Sequence, residues 1–312
     1  MNAALLAPRM LMGLALASLA GCATFQPDCY PFIYLDGRYF LKGRHAGVGE
    51  PTPDPACYQL VHDRDGRVVS VEYRRDGRLN PDPLSGVARM TIEYSGRSEK
   101  RVHLNALGNP TTNRDGIYAI WLERDPQGNP VEWRNLGTDG RPQEERDSGV
   151  AIVRWRYDER GNATEQSYFG ADERPRDHRE RGVAVIRWRY DERGNILEES
   201  YWGPDGRSKL DNERGVAAVR WRYDERGNAV EEIYLDHDGR PTEDRPRGVA
   251  MVRWQYDAAQ QAVEERYLGT DGALKEDRRT GVAIVRWRYD AQGQRTATLT
   301  FDAKGNLLRE MR

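Results

Sequence analysis

Glycine recurs at Gly116, Gly149, Gly182, Gly215, Gly248 and Gly281 at a constant spacing of 33 residues, each time opening nearly the same phrase. A period of that length confines the chain to stacked architectures, because one short unit cannot bury its apolar side chains without neighbours. The phrases GVAIVRWRYDERGN, GVAVIRWRYDERGN, GVAAVRWRYDERGN and GVAMVRWQYDAAQQ start at Gly149, Gly182, Gly215 and Gly248, and GVAIVRWRYDAQGQ starts at Gly281. Weaker copies open at Gly116 and Gly86, and a half-unit surrounds Gly66, for roughly seven to eight units in all. Degenerate copies at both ends suit a stack whose terminal units have a neighbour on one side only.

Within one unit, Ala217, Val219, Trp221 and Tyr223 share one parity while Val216, Ala218, Arg220 and Arg222 share the other. This alternation predicts a strand over 216–224, made of residue types that suit a pleated surface. Asp224-Glu225-Arg226-Gly227-Asn228 supplies turn chemistry, with Gly227 free to take a positive φ. The chain returns as Ala229 to Leu235 and turns again at Asp238-Gly239-Arg240-Pro241, so each unit holds at least one hairpin. If Gly227 is the left-handed residue of a three-residue loop, Arg220 faces Glu232 and Trp221 faces Glu231 across the strands. The polar linker from Thr242 to Arg247 fits a loop or a single helical turn equally well.

Two strands per unit are too few for a propeller blade of four, and no apolar stripe of helical period appears. The expectation is an all-β chain of tandem 33-residue hairpins forming an elongated meander or wound sheet. The segments read as a signal peptide over 1–21, a lipidated tether and cap over 22–60, and degenerate repeats over 61–115. Regular repeats fill 116–280, and a C-terminal capping repeat fills 281–312.

The leader MNAALLAPRMLMGLALASLAGC has one positive charge at Arg9 and an apolar run from Met10 to Leu19, too short for a spanning helix. Leu19-Ala20-Gly21-Cys22 resembles the lipobox of bacterial lipoproteins. That resemblance implies diacylglycerol on Cys22, cleavage before it, and anchoring in the cell envelope. Ala23 in the next position implies the outer membrane of a Gram-negative cell. The alternative is an ordinary secretory signal cut near Ala23. Cys29 and Cys57 would then meet an oxidising compartment and are expected to form a disulfide stapling a Pro-rich lead segment.

Charged residues make up 31% of the chain, yet net charge is only −2. Arg is interspersed with Asp and Glu, so the field cancels over a Debye length and nothing points to nucleic acid. Trp188 to Asn195 and Trp221 to Asn228 resemble the YD repeats of Rhs-type bacterial surface proteins, in which Tyr-Asp and a nearby Gly mark hairpin turns, although the period here is longer. They are similar, more loosely, to MORN-like hairpin repeats. Both resemblances imply a binding or structural β-array.

Catalysis needs one asymmetric constellation, whereas these residues recur at one period, so neither an enzyme nor a cofactor is expected. The doublets Glu198-Glu199, Glu231-Glu232 and Glu264-Glu265 cannot share a substrate atom, because neighbours on a strand point to opposite faces. His45, His62, His103, His178 and His237 are dispersed, lack metal-ligand spacing and read as surface residues. One feature carries functional promise: Trp155, Trp188, Trp221, Trp254 and Trp287 occupy one position in five successive units. Exposed, such a row stacks on sugar rings or a protein partner; buried, it is the core of the array, and we favour the core. The expected role is a non-enzymatic envelope scaffold or protein-interaction surface. The alternatives are a glycan- or peptidoglycan-binding protein using the Trp row and, least favoured, a wall hydrolase with a pocket in residues 23–85.

Overall fold

A computed structural model describes residues 29–36, 38–44 and 56–312; the expected leader, Cys22 and His45 lie outside the described residues. The early strands are β1 (Cys29–Tyr30), β2 (Phe32–Leu35), β3 (Leu41–Arg44), β4 (Ala56–His62), β5 (Val68–Arg75), β6 (Arg78–Leu79) and β7 (Arg89–Ser95). They are followed by β8 (Ser98–Leu104), β9 (Ala119–Arg124), β10 (Pro130–Leu136), β11 (Ile152–Tyr157), β12 (Ala163–Phe169), β13 (Val185–Tyr190) and β14 (Ile196–Trp202). The last seven are β15 (Ala218–Tyr223), β16 (Ala229–Leu235), β17 (Met251–Tyr256), β18 (Ala262–Leu268), β19 (Ile284–Tyr289), β20 (Arg295–Phe301) and β21 (Leu307–Met311).

Nineteen of these strands belong to one antiparallel sheet, and β2 and β3 form a separate hairpin. From β7 onward the strands pair in sequence order, while β1 pairs with β4 and β5 reaches past the short β6 to β7. No pairing joins the first strand to the last among the described residues, so the meander stays open. The expected all-β meander of hairpins is therefore the fold.

One side-chain device recurs in the hairpin loops of the repeats. The Asp224 carboxylate accepts the backbone N–H of Arg226 at 2.9 Å and of Asn228 at 2.8 Å, while its second oxygen accepts the Asn228 side-chain amide at 2.9 Å. The backbone closes the same loop through Asp224 N–H to Asn228 O at 3.0 Å. Asp158 and Asp191 repeat this arrangement, and Asp63, Asp236, Asp290 and Asp302 bind the same two backbone amides. Such local bonds win over continued strand pairing because they satisfy amides that the loop would otherwise leave open.

The loop also sets a register one step from the expected one. Trp221 faces Glu232, and Arg220 faces Ile233, because the ladder shifts at Arg222/Tyr223, where Tyr223 faces Ala229 and Arg222 faces Glu231. The extra residue, Val230, is a β-bulge that follows the five-residue loop, and it corrects the three-residue-loop count. The strand also starts later than expected, at Ala218. Gly215, Val216 and Ala217 instead finish the linker, with Val216 and Ala217 almost fully buried.

The linker is a loop, not a helix. Asp244 accepts the Val249 N–H at 3.1 Å, and Gly248 N–H closes on Asp244 O at 2.9 Å. Successive linkers bond to one another, Asn212 N–H to Arg181 O at 2.8 Å, Arg245 to Arg214 at 2.7 Å and Arg278 to Arg247 at 2.7 Å. Tyr of each Tyr-Asp pair ties strands together similarly: the hydroxyls of Tyr190, Tyr223, Tyr256 and Tyr289 donate to the carbonyls of Ala163, Ile196, Ala229 and Ala262, 27 residues back.

The chain divides into two compact units, Met1–Trp155 with Tyr168–Arg174, and Arg156–Ser167 with Pro175–Arg312. In the first, Leu41, Leu60, Val71 and Ile92 are buried together, with Ile33, Leu35 and Met90 packed against them. Cys29 and Cys57 form the expected disulfide, with Cα atoms 5.4 Å apart, and so staple β1 to β4. In the second, the core is the repeated Val-Ala of the linker with the Val or Ile that follows: Val183, Ala184, Ile186, Val216, Val219, Val249 and Val252 have essentially no exposure.

The loop glycine has one informative exception. Gly227 takes φ +87° with open space where a Cβ would stand, whereas Gln260, its counterpart one unit later, takes φ +64°. Gln260 thus carries the left-handed penalty of a residue with a Cβ, about 1 kcal/mol. Gln260→Gly should raise the free energy of unfolding by that amount, read as a higher urea midpoint, and Gly227→Gln should lower it. Cys29→Ser should cost about 3–4 kcal/mol of local stability by freeing a loop of 28 residues. Hydrogen exchange across Tyr30–Arg44 should report that loss.

Candidate functional site

Alternation along each strand gives the second unit two chemically distinct faces. One bears exposed arginines. There Glu198 accepts from Arg220 of the next hairpin at 2.8 Å, Glu231 from Arg253 at 2.6 Å, Glu264 from Arg286 at 2.6 Å and Glu165 from Arg187 at 2.8 Å. Arg187 and Arg286 also cover the rings of Trp202 and Phe301, both at 4.9 Å. The Arg/Glu ladder thus joins neighbouring hairpins, correcting the expected Arg220–Glu232 pair. Arg220 and Glu232 occupy opposite faces because of the bulge.

The other face carries the Trp row. Trp188, Trp221 and Trp254 lie directly across from Glu199, Glu232 and Glu265, and these Trp and Glu side chains are half-buried. Tyr201 and Tyr234 follow two residues on and are buried, and Tyr267 is half-buried. Linker arginines reach over this face: Arg247 Nη2 donates to the Tyr234 hydroxyl, and its guanidinium lies 5.6 Å from the Tyr234 ring and 5.7 Å from the Tyr267 ring. Two strands per hairpin place successive Trp side chains about 9.5 Å apart.

Acid and base alternate along this face. Burial raises the carboxyls of Glu199, Glu232 and Glu265 above the ordinary glutamate value of 4.5. Arg214 opposes the rise at Glu199 and Glu232, and Arg247 opposes it at Glu232 and Glu265. Burial works against the charge of Arg214 too, but Tyr201, Glu232 and Glu199 outweigh it and hold the guanidinium firmly protonated. Neighbours on one strand are thereby driven apart: despite its burial, Glu264 is lowered by Arg286 and Arg266, whereas Glu265 is raised. The two carboxyls of each Glu-Glu doublet therefore serve different faces.

The Trp residues do not share one fate. Trp155, in the first unit, is 8% exposed because Tyr39 of the β2–β3 hairpin packs on it at 5.2 Å and on Trp133 at 5.8 Å. Tyr39 takes φ +62°, its carbonyl accepts from Arg101 at 2.6 Å, and Arg124 stacks 3.8 Å over Phe40. Trp155 is thus core. Trp188, Trp221, Trp254 and Trp287 remain half-buried.

Two histidines correct the surface expectation. His103 is 6% exposed, with Nδ1 2.9 Å from the Ile117 carbonyl, and burial lowers its pKa. His178 stands where later units have Asp211, Asp244 and Asp277, and burial followed by Arg181 lowers it to about 4. Among the described residues, no three His, Cys, Asp or Glu side chains converge as a metal site. The acid–base row itself was missed at the sequence level. Its signal was there, in an Arg before the repeated Gly and a second Glu in each doublet, both at the 33-residue period.

No family model and no curated protein matches the chain. Similar solved structures include the TcdB2-TccC3-TEV crystal structure, at 10% identity and TM-score 0.34 over 79% of this chain and 12% of that one. The TcdB2-TccC3 crystal structure aligns at 13% identity and TM-score 0.32 over 81% and 15%. The Photorhabdus luminescens Tc holotoxin pore aligns at 10% identity and TM-score 0.25 over 88% and 15%. The chain spans less than a sixth of the length of those chains.

A carboxyl whose folded pKa is raised stabilises the fold while protonated and loses that contribution as pH climbs through the raised value. The variant E199Q/E232Q/E265Q should therefore lose less stability than the parent chain between about pH 5 and pH 7.5. Urea unfolding at both pH values checks this; identical pH dependence would remove the raised carboxyls from the account.

Proposed function

We propose that the chain is a non-enzymatic scaffold of the bacterial cell envelope, anchored through a lipid on Cys22, that holds a protein partner along its repeated Trp face. The observation that carries this reading is the in-register recurrence of one half-exposed Trp–Glu pair, at Trp188–Glu199, Trp221–Glu232 and Trp254–Glu265. A surface that repeats the same moderate contact is suited to multivalent holding, in which each unit adds avidity. The same repetition supplies no unique pair of groups to divide acid and base roles in a reaction.

A second reading follows from the same pairs. An indole flanked by a carboxyl offers an apolar face and a hydrogen-bond acceptor to a sugar ring, and the spacing of about 9.5 Å suits an extended glycan that repeats every second sugar.

In-frame removal of the 33 residues Gly215–Arg247 should weaken partner capture several-fold without abolishing it, as read by crosslinking in intact cells and identification of the captured species. Capture of glycan strands in place of protein would select the second reading. Complete loss of a turnover reaction on one substitution would overturn both.

A further inference from the structure

The first unit contains a cleft of about 370 Å³ between the β2–β3 hairpin and the sheet beneath it. Ile33, Leu35 and Leu41 form its roof, and Val71, Met90 and Ile120 line its floor. The volume falls within the range of small-molecule sites, and an apolar wall of this extent holds water poorly.

The polar groups on the wall narrow the ligand chemistry. Arg101 is already held by Glu99 at 2.8 Å and by the Tyr39 carbonyl at 2.6 Å. The Tyr58 hydroxyl donates to Asp82. Arg89 pairs with Glu72 at 2.9 Å on the opposite face of the sheet from Val71, Met90 and His103, and its unpartnered Nε is buried there, so neither lining arginine turns a free charge into the cleft. His103 differs: its Nδ1 sits 2.9 Å from the Ile117 carbonyl, an acceptor, so that nitrogen carries the proton and Nε2 is left as an acceptor. A complementary ligand brings an apolar body, no charge and a hydrogen-bond donor.

We propose that this cleft binds a single acyl chain bearing a neutral hydroxyl head, as in a monoacylglycerol or a long-chain alcohol. The roof explains how such a chain is enclosed. The Cys29–Cys57 disulfide fixes β1 to β4, immediately before the hairpin begins at Phe32, and Tyr39 pins the far end of the hairpin between Trp133 and Trp155. Tyr34, 47% exposed, stands at the rim.

The test is calorimetric titration of the purified protein with 1-monolauroylglycerol below its aggregation limit, and with dodecanoate as the charged comparator. The expected result is saturable binding at one site, about tenfold weaker for dodecanoate, which offers no hydroxyl donor and brings a charge. Met90→Trp fills the floor and should abolish binding while the thermal unfolding profile and the disulfide persist. Leu35→Trp, from the roof, serves the same purpose should Met90→Trp fail to fold. Absence of saturable binding by the parent protein overturns the proposal, as does unchanged affinity in a folded variant with the cleft filled. Equal affinity for dodecanoate overturns the neutral head.

Discussion

The Asp carboxylate that gathers the amides of its own hairpin loop is the interaction on which the array depends. It fixes the loop at five residues, and the loop in turn places the bulge after Asn228. The bulge decides that Trp221 rather than Arg220 stands beside Glu232. Face identity, and with it the separation of an arginine side from a tryptophan side, follows from one short-range turn. A one-residue change in register would exchange the two faces outright.

Lateral cohesion comes from contacts that skip from hairpin to hairpin. Glu198, Glu231 and Glu264 are each clasped by an Arg 22 residues later, and the Tyr hydroxyls reach carbonyls 27 residues earlier. Exposed ion pairs contribute little individually. Here they repeat in register, and Arg187 and Arg286 also lie over aromatic rings, so the ladder aligns units more than it stabilises any one of them. The buried Val-Ala of each linker supplies the apolar burial that drives neighbours together.

Much of this was legible in the sequence. The period, the two strands per unit and the left-handed glycine follow from spacing and residue type, and the Cys29–Cys57 pair is expected from the oxidising compartment that the leader implies. What was not legible depends on tertiary position. Loop closure alone permits either register, and only the bulge at Val230 resolves them. His103 is buried in β8 against the Ile117 carbonyl of the linker that follows, and His178 lies within a linker at the place of the buried Asp211, Asp244 and Asp277, neither of which the spacing of histidines encodes. The Trp row reads as one set, yet Trp155 differs from Trp188 because a hairpin far upstream in the chain, carrying Tyr39, lies on it. Glu199 and Glu232 look like a solvated ladder until the linker arginines Arg214 and Arg247 are seen beside them.

An open meander built from identical lateral contacts has no closure condition. A barrel fixes its strand number, whereas here a unit inserted between β16 and β17 would meet on both sides the neighbours it is built to meet. Length is therefore a free variable of this fold, set by duplication in the gene and not by geometry. The reach of the array can change across generations while the chemistry at each step stays constant.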